Sequence, residues 1–191
     1  DVTATPKLKL VSADITREAA VGLPVLTVSL DAMHFGDKTV LGAIDLKLAP
    51  RETVAITGPS GVGKTTLMRI IAGLEHRFLG HVRRPEKLAM VFQEPTLMRW
   101  RTVAENLAIT LGLTLPQIEI ALEEVGLAGR GSAFPDQLSL GQQRRLSLAR
   151  AFAGKPHLLL MDEPFLSLDP EPSAQMLPLF ERPRHHPPLP P

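Results

Sequence analysis

The apolar positions of this chain switch between two periods. "VLTVSLDAMHF" (25–35) and "AIDLKLAP" (43–50) read as strands, the second placing Ile44, Leu46 and Leu48 on one face. "ETVAIT" (52–57) is a short strand, followed by a glycine-rich loop and a helix from about Thr65 to Ala72. Leu67, Ile70, Ile71 and Leu74 give that helix its apolar stripe, and Gly73 ends it. "KLAMVF" (87–92) and "HLLLM" (157–161) are unbroken apolar runs short enough for buried strands, the second of the parallel kind. Residues 103–128 follow a mostly helical spacing, interrupted by "GLTLP" and closed by "GLAGRG". In "QLSLGQQRRLSLARAF" (137–152), Ser139 is an N-cap and Gln142 completes a capping box. Leu146, Ala149 and Ala153 then recur at helical spacing until Gly154 and Pro156. Residues 1–23 lack a clear period and read as an extension, apart from a short strand in "KLKLVSADI". Strands alternating with helices predict an α/β domain.

Composition narrows the function classes. Lys+Arg 21 against Asp+Glu 20 leaves a net charge of +1, so nucleic acid has no electrostatic claim as a partner. No apolar run reaches the ~18 residues of a membrane span. The chain has no cysteine, which excludes disulfides and thiolate metal sites. Its prolines crowd into residues 171–191, a stretch read as irregular from 181 onward.

Two segments carry chemistry. "GPSGVGKTT" (58–66) fits G-x-x-x-x-G-K-[ST] between a predicted strand and a predicted helix, the context that motif requires. The loop Gly58, Pro59, Ser60, Gly61, Val62 and Gly63 is expected to curl its amides around phosphate oxygens. Lys64 reaches the β- and γ-phosphates, the Thr65 hydroxyl holds Mg²⁺, and Thr66 bonds the α-phosphate. "HLLLMDEP" (157–164) ends an apolar strand in two acids. In an open parallel sheet that strand delivers Asp162 to the edge where Lys64 lies, as a second Mg²⁺ residue. Glu163 is then placed to orient and deprotonate the attacking water. Alone, such a strand end also fits a pair of solvated acids. The Asn-Lys-x-Asp guanine reader is missing, which favours adenine. The third feature is Gly141, in the first turn of a well-capped helix, where it costs stability and packs nothing. Either this is an ordinary surface helix, or its amides must approach an anion closely.

From about residue 25 to about residue 180 the chain resembles the nucleotide-binding subunit of ATP-binding cassette (ABC) transporters. The resemblance rests on five motifs in order: "GPSGVGKTT", "VFQE" with Gln93, "LSLGQ" at 138–142, "LLLMDEP", and "SLD" at 167–169. It implies a P-loop NTPase of ABC type. That fold has a mostly parallel core sheet, a small antiparallel β-subdomain and an inserted helical subdomain at about 95–150, within a domain spanning 24–180. It further implies that Ser139, Gly141 and Gln142 bind the γ-phosphate of ATP held by a partner protomer, head to tail. Phe35 takes the place of the aromatic that stacks on adenine, with a core role for it as the lesser alternative from the residues. Gln93 joins the metal and γ-phosphate to the membrane subunits, and Asp169 crosses the dimer interface.

The implied role is the ATPase of an importer with separate permease chains and, indirectly, a periplasmic or lipid-anchored solute-binding protein, at the cytoplasmic face of the membrane. "VFQEPTLMRWRTVAENL" is most similar to the group handling nitrate, sulfonates and taurine. Two departures stand out. Leu140 replaces a usual glycine, and the end of the chain puts His185 and His186 among prolines where the family has a strand and a sensing histidine. A chain that binds ATP with little hydrolysis, and a soluble non-transport ABC ATPase, are the alternatives.

Overall fold

A computed structural model describes residues 8–13 and 23–162. They fall into two compact units, one reaching to Met90 and resuming at Lys155–Asp162, the other Val91–Gly154. Glu163, Asp169, His185 and His186 lie outside the described residues.

The first unit begins with β1 (Lys9–Ala13), β2 (Leu26–Phe35), β3 (Lys38–Leu41), β4 (Ile44–Leu48) and β5 (Thr53–Thr57). It continues through α1 (Lys64–Ala72), β6 (Leu79–Arg83), β7 (Leu88–Val91) and β8 (Leu158–Met161). β2 is the spine of an antiparallel sheet, with β4 on one side (Leu26↔Leu48) and β6 on the other (Thr27↔Arg83). At its far end it turns through Gly36 and Asp37 into β3, pairing Phe35 with Lys38. Leu26, Val28 and Leu30 alternate inward as a half-buried strand requires. Continued alternation brings Ala32 inside. A register shift between Leu30 and Ala32 changes the phase, so Met33 takes the buried place instead. This face shares one core with Leu67, Ile70 and Ile71 of α1 and with Leu158 and Leu160 of β8.

Three expectations change. Leu74 does not extend the stripe of α1: Gly73 adopts a left-handed C-cap, Leu74 N–H returns to Arg69 O at 2.8 Å, and the Leu74 side chain turns out to solvent. β7 is mostly half-buried rather than buried. The strands expected in a mostly parallel core sheet form two separate pairs, β7 with β8 and β5 antiparallel to β1. Among the described residues no ladder joins β5 to β7 or β8, so the face of β5 is only partly covered.

The second unit packs α2 (Val103–Leu111), α3 (Leu115–Glu124) and α4 (Leu140–Ala153) around Val103, Leu107, Ile118, Leu122, Leu127 and Leu146, with a single 3₁₀ turn at Pro135–Gln137. Thr102 caps α2 and Ser139 caps α4, each in a full capping box with Glu105 or Gln142 three residues on. Asn106 is fully buried on the inner face of α2. Its side-chain oxygen accepts from Met98 N–H at 2.8 Å, and its amide nitrogen donates to Met98 O, Arg101 O and Thr102 O. That one side chain ties down the loop before α2. Arg150 on α4 reaches 54 positions back, donating to Thr96 O at 2.8 Å and Thr96 Oγ1 at 2.9 Å.

Candidate functional site

β5 feeds directly into the loop 58–63 and α1. The helix starts without a side-chain cap and without an acidic residue in its first turn, so its own side chains leave its positive end uncompensated. Gly63 sits at the N-cap with φ 105°, and a Cβ there would lie 2.5 Å from Leu41 Cδ2 and 3.3 Å from Val40 O. Only glycine allows the β2–β3 hairpin to close against the helix start. The Lys64 ammonium folds over the loop, donating to Gly58 O at 2.8 Å and Pro59 O at 3.0 Å. One of its three donors therefore remains for a ligand.

Thr65 Oγ1 donates to Asp162 Oδ2 at 2.7 Å, across 97 positions of sequence. The sequence reasoning placed these two residues at one edge, and the structure brings them into contact. Asp162 is only 5% exposed at the end of β8. A hydroxyl and a carboxylate oxygen at this separation fit one edge of a magnesium octahedron, whose neighbouring oxygens lie about 3 Å apart for Mg–O near 2.1 Å. Among the described residues no group of three or more His, Cys, Asp or Glu side chains is arranged to hold a metal. A cation here would draw its remaining ligands from water and phosphate, as magnesium does in phosphate sites.

Phe35, at the end of β2, is 58% exposed, which removes the core reading. The Arg77 guanidinium carbon lies 4.6 Å from the centre of its ring. Arg77 is itself clamped by Glu75, donating from Nε to Oε1 at 3.0 Å and from Nη2 to Oε2 at 2.9 Å. Oε1 also accepts from the backbone N–H groups of His76 and Arg77. The Arg77 side chain and these amides hold the Glu75 carboxyl down at about 2 from an ordinary 4.5. Sequence reasoning missed this pair. Its Glu-x-Arg spacing in "GLEHRF" falls after the helix has ended, where no period exposes it.

The remaining predicted residues lie in the second unit. Ser139 Oγ accepts from Gln142 N–H at 3.2 Å, and Gln142 Oε1 accepts from Ser139 N–H at 2.9 Å. A Cβ on Gly141 would meet nothing nearer than Ser139 Oγ at 4.0 Å, so packing does not explain this glycine. Leu140, beside it, is exposed. Gln93 is exposed two residues after β7, lining a small recess with Phe92, Pro95, Arg144 and Ser147.

A family model described as "ABC transporter" matches residues 41–166. An aliphatic sulfonates import ATP-binding protein of Pseudomonas fluorescens is 49% identical over 138 residues, covering 71% of this chain and 53% of that protein. The protein of the same description from Granulibacter bethesdensis is 48% identical, covering 74% of this chain and 61% of its own length. One from Paraburkholderia xenovorans is 42% identical over 89% of this chain and 71% of the relative. The chain thus spans little more than half the length of the first two. Among solved structures, the dimeric post-hydrolysis state of the ATP-binding cassette MJ0796 bound to ADP and Pi superposes with a TM-score of 0.67 at 23% identity, covering 82% of this chain and 81% of that one. That likeness establishes the fold.

Proposed function

Because the chain belongs to the ABC transporter family, we propose that it is the ATP-binding and hydrolysing subunit of an importer. The observation that carries this reading is the Thr65–Asp162 contact beside the Lys64-covered loop. In it, the loop amides and the free donor of Lys64 take the phosphates, while Thr65 and Asp162 hold Mg²⁺. Magnesium supplies charge neutralisation on the β- and γ-oxygens. Phe35 stacks on the base, Glu163 orients the attacking water, and Gln93 joins the γ-phosphate side of the site to the membrane partners.

The solute class is the one the relatives' names carry, an aliphatic sulfonate. The proposed import path runs through separate permease subunits, with this chain peripheral to the membrane; no helix among the described residues is long and apolar enough to cross one. The helical unit, with Trp100 74% exposed in the loop that Asn106 anchors, is the surface offered to them. Ser139, Gly141 and Gln142 serve a second protomer: the unexplained glycine leaves room for a phosphate to reach the first-turn amides of α4.

Head-to-tail pairing is tested by sedimentation. A Glu163→Gln chain is expected to shift from monomer to dimer with Mg-ATP. Ser139→Arg is expected to block that shift without changing the affinity of the monomer for ATP. A monomer in both cases contradicts the sandwich.

A further inference from the structure

The clamp over Phe35 has no part in the phosphate chemistry, yet it is held by four hydrogen bonds to Glu75. Both Glu75 oxygens are engaged, so the Arg77 guanidinium, although its side chain is 67% exposed, is held by a two-pronged ion pair. It covers one face of Phe35. With Arg77 in place the residue is still 58% exposed, which leaves ring surface open to a ligand. The path of the strand also brings the ring toward the phosphate loop. Met33 pairs with Leu41, whose side chain abuts the Gly63 position at the start of α1. Phe35 lies two residues further along β2, about 7 Å at ~3.3 Å per residue. That span is comparable with the reach from a nucleotide's base across its ribose to its phosphates.

We propose that Arg77, locked by Glu75, is a positioning residue for the base of a purine nucleoside triphosphate: it backs the Phe35 ring so that the base stacks on the free face. This rests on the reading of Phe35 as the stacking aromatic. The physical gain has two sources. A ring held in one orientation loses no rotamer freedom when the base arrives. A cation on one face draws the ring's negative charge toward itself, leaving the other face less repulsive to an electron-rich purine. Displacement of Arg77 by the base is disfavoured, since it would break the two-pronged ion pair.

The test is calorimetric titration of the full chain with Mg-ATP and, separately, with magnesium tripolyphosphate, which carries the charge but no base. Arg77→Ala is expected to weaken ATP binding about two- to fivefold, the range of an exposed cation–π contact, and to leave tripolyphosphate binding unchanged. Arg77→Lys should recover part of the loss, and Glu75→Gln should reproduce part of it. ATP affinity unchanged in Arg77→Ala, or an equal loss for both ligands, overturns the proposal. Phe35→Ala separates the two levels. If it weakens ATP and Arg77→Ala does not, only the role of Arg77 falls. If Phe35→Ala has no effect, stacking itself is wrong and the proposal falls with it.

Discussion

Replacing Gly63 with alanine strikes the hinge on which the phosphate loop turns into α1. Two costs add. A Cβ at φ 105° leaves the region open to L-residues, which costs about 1–2 kcal/mol. The same atom would stand 2.5 Å from Leu41 Cδ2 and 3.3 Å from Val40 O. Leu41 is 3% exposed, so overpacking adds about 1–3 kcal/mol. The total of about 2–5 kcal/mol corresponds to a urea midpoint lowered by about 1–2.5 M for a slope near 2 kcal/mol/M. Gly61→Ala is the control. Its φ is also positive, at 77°, but no atom lies within 4 Å of a Cβ there, so only the backbone cost applies and the midpoint falls by about 0.5–1 M. Shortening Leu41 to alanine in the Gly63→Ala background should remove the clash, giving a double-mutant coupling of 1 kcal/mol or more, on the order of contacting residues. Equal losses for the two glycines, or no coupling to Leu41, refute the reasoning.

Asn106→Leu removes the side-chain partner of Met98 N–H and of the Met98 and Arg101 carbonyls, while Thr102 O keeps the backbone N–H of residue 106. It should destabilise the helical unit by about 2–4 kcal/mol and speed amide exchange at Met98, read by hydrogen–deuterium exchange. Glu75 should titrate near 2 by carboxyl NMR and return toward 4.5 in Arg77→Ala. Its folded value lies below the unfolded one, so its contribution to stability is complete above about pH 4.5 and is lost as pH falls through 2. Thr102→Ala removes the side-chain half of the capping box on α2 and should cost about 1 kcal/mol in chemical denaturation.

Much of this was legible from spacing. The helix that follows the glycine loop, the capped start of α4 and the strand ending at Asp162 all carry local signals that tertiary packing reinforces. The Thr65–Asp162 contact was foreseeable because a phosphate loop and an acid-ended strand have few ways to share one sheet edge. Other features had no local signal. β6 alternates in burial, but it carries Leu79 on its exposed face and Gly80 on its inner one, so the residues alone give no strand signal and its pairing with β2 is decided by the partner strand. β3 is only four residues long, and its Gly-Asp turn is the sole hint of a hairpin. Asn106 could have been found, since it follows Val103 by three positions and so falls on the buried stripe of α2. Arg77 could not, because its target Phe35 lies in a segment that sequence order keeps far from it.

The central claim is that the loop at 58–66, with Thr65 and Asp162, binds Mg-ATP. Calorimetric titration of wild-type and Lys64→Ala chains with Mg-ATP tests it most directly. Among the described residues the ammonium is the one side-chain cation hydrogen-bonded over the loop, and its loss should weaken binding by more than about tenfold, or ~1.4 kcal/mol. Equal affinities for the two chains would contradict the assignment.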